Sequence, residues 1–266
     1  MASIALAQAV VGKEFSPSCE AVEGAASIIG DKAIRAIVIG EVHGTAETPK
    51  LVGDLACLAS QRRNVTVALE FDAGLDADLQ RFMADQNPVR AHEALRRSSI
   101  WDRRRADGRS SKAMFDLLVR LRNLKGDGGR ISLGAFQPTS MTRLRQHYYE
   151  LAMATKIAEL ADRRPDDLII VLVGRVHAGT LPFNGIGESF LPAAAHLPAG
   201  EVLTFQPEAE GGTAWSCRAQ GCKAYQLEGR VKKTRRIYKL ATRANGYDGY
   251  YSVGGPYTAS EPLLPR

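Results

Sequence analysis

Short apolar runs bounded by turn residues recur along the chain and alternate with longer segments of helical period. Five runs are strand-sized and rich in β-branched or aliphatic residues. They cover residues 33–40, 65–71, 130–136, 168–174 and 201–206. Weaker strand patterns follow at 213–217, 223–227 and 237–242, where no helical period is present.

Four segments between the strong runs place apolar residues three or four positions apart, which is typical of amphipathic helices. They begin near Pro49, Leu75, Ser110 and Ser140. The last is the longest and extends to about Arg163, where Pro165 stops it. Its spacing predicts Tyr148 and Leu151 on the inward face.

The alternation of strands and helices over residues 33–206 predicts an α/β fold with three layers and a mixed, mostly parallel sheet. We divide the chain into an N-terminal segment (1–30), an α/β domain (31–208) and a β-rich C-terminal extension with an irregular tail (209–266). The length of 266 residues is sufficient for a large hydrophobic core.

Two strand ends carry nearly the same motif. Residues 37–43 read Ile-Val-Ile-Gly-Glu-Val-His, and residues 171–177 read Val-Leu-Val-Gly-Arg-Val-His. The repetition predicts pseudo-duplicated halves whose matching strands end at the same edge of the sheet. Ligands of α/β sheets bind beyond the carboxyl ends of the strands. We therefore expect His43 and His177 to face one crevice.

Carboxylates accompany these histidines. Glu41 and His43 are two positions apart, so on an extended segment their side chains lie on one side, where the carboxylate can orient the imidazole or both can bind a metal. Glu70 ends the second strand, and a glutamate there is exposed at the rim, ion-paired or functional. Glu47 follows His43 by four residues and is predicted to point back toward it.

Several catalytic motifs are missing from the sequence. It contains no G-x-S-x-G elbow, no phosphate-binding loop, no dinucleotide fingerprint and no H-E-x-x-H helix. A covalent serine mechanism is thus unsupported. Attack by water remains, activated by a histidine base or by a bound metal ion.

The formal net charge of +6 is unevenly distributed. Residues 90–109 hold seven arginines against three acids, and residues 218–243 hold nine basic residues against one acid. The first segment is either a solvated loop or a cap over the crevice, in which Trp101 packs and Arg103 binds an anionic group. The second is predicted to be an exposed strand face. We expect a small-molecule substrate or ligand as partner, and no nucleic acid.

The apolar runs, the N-terminal residues and the cysteines indicate the cellular compartment. No apolar run reaches the length of about 20 residues that spans a bilayer, so no integral membrane segment is expected. The first eleven residues are apolar and contain Ala-Leu-Ala-Gln-Ala, which resembles the end of a secretory signal. The four cysteines are Cys19, Cys57, Cys217 and Cys222, and the last two can close a small loop. Two disulfides in a periplasmic or secreted protein are favoured over free thiols in a cytoplasmic one.

The order of these motifs resembles the erythromycin esterase-like superfamily, which includes the ChaN-like haem-uptake lipoproteins and the Tiki/TraB proteins. The resemblance covers residues 33–206 and depends on five features. They are Gly-Glu-x-His-Gly-Thr-x-Glu at 40–47, Leu-Glu at 69–70, the Trp/Arg-rich segment, the helix with Met153 and Ile157, and Gly-x-x-His-Ala at 174–178. It implies a three-layer fold with a single cleft at the strand ends.

The branches of this superfamily imply different chemistry. The esterase branch implies that Glu41, His43 and Glu70 activate water against an ester, with His177 from the second half. The Tiki branch implies a metal held by Glu41, His43 and His177. The haem-uptake branch implies a binder, with Tyr148, Tyr149 or the C-terminal tyrosines as haem ligands. The esterases have two residues between the glutamate and the histidine, whereas this chain has one, as in the haem-uptake branch.

Together these features predict a hydrolase-like protein acting on an ester or amide. His43 is the predicted general base, Glu41 and Glu70 orient it, and His177 with Arg175 forms the opposite wall, where Arg175 stabilises an oxyanion. A divalent transition metal is the first candidate cofactor and haem the second. The alternative function is haem or small-ligand binding without catalysis.

Overall fold

The strongly apolar runs form the centre of a seven-stranded sheet. The computed structural model describes residues 18–101, 108–139, 145–185 and 188–264. The strands of the main sheet are β1 (Ala36–Glu41), β2 (Asn64–Asp72), β3 (Ile131–Gln137), β4 (Asp167–Gly174), β5 (Val202–Pro207), β8 (Arg235–Ala244) and β9 (Tyr247–Val253). A separate hairpin consists of β6 (Gly212–Arg218) and β7 (Gly221–Leu227).

The main sheet has the order β3-β2-β4-β1-β5-β9-β8. All neighbouring pairs are parallel except β9 and β8, which are antiparallel. Every residue of β1 and β4 is buried, because helices cover both faces of the sheet. The mixed, mostly parallel α/β sheet predicted from the sequence is confirmed.

Helices form the two outer layers. They are α1 (Ala25–Gly30), α2 (Glu47–Ser60), α3 (Asp76–Ala84), α4 (Pro88–Arg96), α5 (Lys112–Gly126), α6 (Gln146–Arg163) and α7 (Arg175–Ala178). The first five share an apolar cluster with one sheet face, including Ile37 and Ile39, and the last two pack on the other face with Val38. Among the described residues, no helix is both long and apolar enough to cross a bilayer.

The inward face of α6 differs from the prediction. Tyr148 and Leu151 are 55% and 47% exposed, whereas Tyr149, Glu150 and Met153 are buried. The buried stripe contains a glutamate, which interrupts the apolar period and shifted the predicted face by about one position. The predicted start of this helix, near Ser140, lies outside the described residues.

The segments on either side of residues 31–208 pack onto the same sheet. Helix α1 buries Ile28 and Ile29 in the core. The chain after residue 208 is β-rich, as expected, and its last two strands extend the main sheet beside β5, with Tyr251 fully buried. Residues close to the C-terminus return to the strand-end region, where Ala46 N donates to Thr258 O at 2.9 Å.

Two disulfides connect distant and local parts of the chain. Cys19–Cys57 ties the segment before α1 to α2. Cys217–Cys222 closes the β6–β7 hairpin, and this was the small loop expected from the spacing. All four cysteines are therefore oxidised, and none is a free thiol.

Candidate active site

The two repeated motifs lie side by side because β1 and β4 are neighbours. Their parallel pairing places Glu41 opposite Gly174. His43 follows β1 after one intervening residue, and His177 lies in α7, which begins directly after β4. Since parallel strands end at the same edge, both histidines lie at the carboxyl edge of the sheet.

Both histidine rings lie close to Gly174. A Cβ atom placed on this glycine would lie 2.8 Å from His43 Nε2 and 3.4 Å from His177 Cδ2. Any side chain at position 174 would therefore occupy the space between the two rings. The structure thus brings Glu41, His43 and His177 together at one place.

His43 lies between two buried carboxylates. Its Nδ1 donates to Glu41 Oε1 at 2.9 Å, and its Nε2 lies 3.6 Å from Glu70 Oε2. Burial by itself would lower the pKa of His43, but the hydrogen bond to Glu41 and the charges of Glu70 and Glu41 outweigh it and raise the pKa to about 9. The imidazole is thus protonated at neutral pH. A protonated ring has no lone pair, so the predicted role of His43 as general base would require the ring to lose this proton first.

Glu70 is held in its ionised form. Burial would raise its pKa, but His43, His177, Arg109 and the backbone amide of Gly174 lower it. Arg109 Nη1 donates to Oε1 at 2.8 Å, and Gly174 N donates to Oε2 at 2.8 Å. Both oxygens of Glu70 therefore have a donor.

Arg109 is a residue of the site that the sequence did not single out. It belongs to the arginine-rich segment in which Arg103 was the predicted anion-binding residue. Arg103 lies outside the described residues. Seven arginines between residues 90 and 109 offer no pattern that distinguishes one of them, so only the fold could identify Arg109.

His177 has its own carboxylate partner, Glu150 from α6. Its Nδ1 lies 2.8 Å and 2.9 Å from the two carboxylate oxygens. Glu150 is fully buried and also accepts from Gln146 Nε2 at 2.6 Å and from Ala193 N at 2.8 Å. None of the sequence motifs that predicted the site contains Glu150. The only sequence signal for it is its position, because it is a single acidic residue on the side of α6 that also carries Met153.

Tyr149 forms one wall beside His177. The two rings pack edge to face with their centroids 6.0 Å apart. The tyrosine hydroxyl accepts from Gln137 Nε2 at 2.9 Å, and burial raises its pKa well above the usual range. Because Tyr149 is 4% exposed and neutral, it does not fit the predicted role of haem ligand.

Trp101 does not line the crevice. It is 1% exposed, its Nε1 donates to Leu95 O at 2.6 Å, and its ring packs edge to face against Phe71 and Phe115. The substrate-binding role predicted for it is wrong, because the indole is part of the core.

Arg175 and Glu47 contact residues other than the substrate oxyanion and His43 that were predicted as their partners. Arg175 is half exposed and forms an ion pair with Glu210. Glu47 accepts a hydrogen bond from Thr258 N at 2.8 Å and so anchors the C-terminal segment. Neither contact connects these side chains to the two histidines.

The contacts of Glu41, His43 and His177 give no support for a metal ion held by these three residues. Nδ1 of each histidine faces a carboxylate, which leaves only Nε2 as a ring ligand, and the Oε1 atom of Glu41 already accepts from His43. No group of three His, Cys, Asp or Glu residues within the described ranges has an arrangement that could hold a metal. The metal ligation expected for these three residues is thus not supported within the described ranges.

Comparison with known proteins gives similarity in structure but not in sequence. No family model and no curated protein matches the chain. A variant of the erythromycin esterase EreC in its open conformation is similar with a TM-score of 0.54 at 9% identity, over 90% of this chain and 89% of that one. The type III effector HopBA1 gives a TM-score of 0.52 at 14% identity, over 93% of this chain and 100% of that one.

A protein from Bacillus cereus is also similar, with a TM-score of 0.56 at 11% identity, over 76% of this chain and 72% of that one. At such identities the likeness concerns the fold alone. The resemblance seen in the motifs is thus supported by the three-dimensional structure, and the chain has the fold of an erythromycin esterase.

Proposed function

We propose that this chain is a hydrolase that activates water against an ester or amide bond at the edge where β1 and β4 end. The observation that carries the proposal is that the rings of His43 and His177 both lie within 3.4 Å of the position that a Cβ atom on Gly174 would occupy. The fold that the chain shares with an esterase supports it.

The side chains present favour water as the nucleophile. All four cysteines are in disulfides, so no thiolate is available. Both histidines bond through Nδ1 to a carboxylate. Within the described ranges, neither bonds through Nε2 to a serine or threonine hydroxyl, which is the contact that activates such a hydroxyl as a nucleophile. Two imidazoles oriented in this way lie beside the space that a side chain at Gly174 would fill. Between them they can bind a water molecule and polarise a carbonyl group.

The test is hydrolysis of a panel of p-nitrophenyl esters and p-nitroanilides by the full chain with its disulfides intact. We expect turnover of at least one substrate, with a loss of about 100-fold or more in His43→Asn and in His177→Asn, the scale of general acid–base catalysis. His196→Asn is the matched control, because His196 is exposed and bonds only to Leu191 O.

Two results would contradict the proposal. One is the absence of turnover above the buffer rate for every member of the panel. The other is a rate that persists in the His43→Asn/His177→Asn double variant. Binding of a panel member without turnover would instead favour the role of a small-ligand binder.

The cysteines support a periplasmic or secreted location as part of this proposal. Two disulfides are typical of such proteins, because reducing systems keep cytosolic thiols free. Protein recovered from an oxidising compartment should contain no titratable thiol. Protein made in a reducing cytosol should show free thiols and a lower free energy of unfolding.

A further inference from the structure

We propose that the two histidines have different tasks in the proposed hydrolysis. His177, oriented by Glu150, removes the proton from water. His43 donates a hydrogen bond from Nε2 to the oxygen on which negative charge develops. This assignment depends on the proposed function and adds Glu150 to the site as a positioning residue.

The environment of His177 favours a ring with its proton on Nδ1. A carboxylate accepts hydrogen bonds and cannot donate them, so the contact to Glu150 requires a hydrogen on Nδ1. In the neutral ring the lone pair is then on Nε2. Within the described ranges His177 Nε2 makes no hydrogen bond, which leaves this atom for water.

The hydrogen bonds of Glu150 stabilise the His177 tautomer with its hydrogen on Nδ1. Its two oxygens accept from Gln146, from Ala193 N and from His177, while the side chain is completely buried. The carboxylate therefore cannot rotate away from the ring without losing these hydrogen bonds. A buried carboxylate on Nδ1 also stabilises the imidazolium that forms when Nε2 takes a proton.

His43 differs from His177 in having a second carboxylate close to its Nε2 atom. Glu41 bonds to its Nδ1, and Glu70 faces its Nε2 at 3.6 Å, which is too long for a good hydrogen bond. Both oxygens of Glu70 are already occupied by Arg109 and Gly174 N. The ring is thus kept cationic by two negative neighbours, while its Nε2 hydrogen remains available for a substrate oxygen.

Hydrolysis by these two groups proceeds through a tetrahedral intermediate. Water gives a proton to His177 Nε2 as its oxygen forms a bond to the acyl carbon, and the carbonyl π electrons move to the oxygen next to His43 Nε2–H. When the carbonyl reforms, the bond to the leaving alcohol or amine breaks. The proton on His177 passes to that leaving group, and the products are a carboxylic acid and an alcohol or amine.

The first test measures the protonation of both rings and needs no turnover. Nitrogen-15 NMR of the histidine-labelled full chain should show His43 with both nitrogens protonated at pH 7.5, and the neutral form of His177 with its hydrogen on Nδ1. The signals are assigned with His43→Asn and His177→Asn. A neutral His43 at this pH, or a neutral His177 with its hydrogen on Nε2, would overturn the assignment, whether or not a substrate has been found.

The second test uses Glu150→Gln and Glu150→Asp on an ester that the wild-type chain hydrolyses. The amide should lower kcat by about 100-fold or more with KM nearly unchanged, and should move the hydrogen of His177 from Nδ1 to Nε2 in the NMR spectrum. Aspartate, which keeps the charge, should restore part of kcat. The matched control is Glu159→Gln on the exposed face of α6.

The outcomes separate the two proposals. An unchanged kcat in Glu150→Gln, or a lost kcat with an unchanged His177 tautomer, would contradict the role of Glu150. Failure of the wild-type chain to hydrolyse any substrate would contradict the proposed function, while the ring protonation would still show whether the two histidines differ. If Glu150→Gln does not fold, the wild-type spectrum remains decisive for the tautomers.

Discussion

Glu41 lies opposite Gly174 in the parallel pairing of β1 with β4, although the two motifs align Gly40 with Gly174 in the sequence. The paired strands are thus offset by one residue relative to the repeat. In the second motif Arg175 stands where Glu41 stands in the first, so the strand itself supplies no carboxylate to His177. Helix α6 supplies it instead, through Glu150. The two motifs are thus similar in sequence, but their histidines have carboxylate partners from different elements.

The first prediction concerns the space over Gly174. The added Cβ of Gly174→Ala would lie 2.8 Å from His43 Nε2 and displace that ring. Because misplaced catalytic groups lose rate steeply, kcat/KM should fall by about 10-fold or more. The backbone φ at this position is -53°, which alanine adopts without strain, so the effect is steric.

Gly30→Ala is the control for this substitution, since a Cβ there meets no atom within 4 Å. The two variants are compared by steady-state kinetics on the same ester. Equal rates in Gly174→Ala and wild type would show that the rings do not meet at this glycine.

The second prediction links His43 to stability. Its pKa of about 9 in the folded chain is above the usual 6.5, so its contribution to the free energy of unfolding is complete below pH 6.5 and is lost as pH rises through 9. The loss is on the order of 3 kcal/mol. It is measured as the difference between wild type and His43→Asn in urea unfolding at several pH values. A difference that stays constant from pH 6 to 9.5 would contradict the raised pKa.

The third prediction concerns Asp54, a fully buried carboxylate in α2 away from the site. It forms ion pairs with Arg120 of α5 and Arg235 of β8, and although burial would raise its pKa, these partners lower it. Asp54→Asn should reduce the free energy of unfolding by about 2–4 kcal/mol, because Arg120 and Arg235 lose a fully buried counter-charge, although Arg235 keeps its ion pair with Glu20.

The control for Asp54 is Glu159→Gln, which removes an exposed ion pair on α6. This control should change stability by less than about 0.5 kcal/mol, as is usual for surface pairs. Both variants are compared by chemical denaturation at pH 7. A destabilisation of similar size in the two would mean that the buried pairs contribute no more than surface ones.

The fourth prediction separates the two disulfides. Cys19–Cys57 joins residues 38 positions apart, and Cys217–Cys222 joins residues five apart. Since the loss of chain entropy grows with loop length, replacing the first pair by alanine should cost about 4 kcal/mol and the second about 2 kcal/mol. Denaturation curves of the two double variants test this order. The reverse order would show that the hairpin disulfide has a role beyond closing its own loop.

The strands and most helices were predictable from periodicity because burial on both faces imposes uniformly apolar strands. The motif repetition was also sufficient to place His43 and His177 at one edge. The inward face of α6 was not predictable, since its buried stripe includes Glu150. Periodicity assigns such an acid to solvent unless its partner is known.

For Trp101 the error was the reverse, because the sequence suggested a surface role for a side chain that is buried. A tryptophan among arginines suggests a binding surface, yet its indole is buried between Phe71 and Phe115. Arg109, from the same arginine-rich segment, is the residue that reaches Glu70. Composition described the segment correctly as basic and aromatic, but could not say which of its side chains point inward.

The sequence by itself determined the α/β layers, the edge at which the site lies and the pair of Glu41 with His43. These features depend on the local hydrophobic periodicity and on the motif that is repeated at the ends of β1 and β4. Only the tertiary structure decided the partner of His177 and the charge of His43. Both depend on residues far apart in the chain, Glu150 on α6 and Glu70 with Arg109. Their approach is set by how helices and neighbouring strands pack rather than by any spacing along the chain.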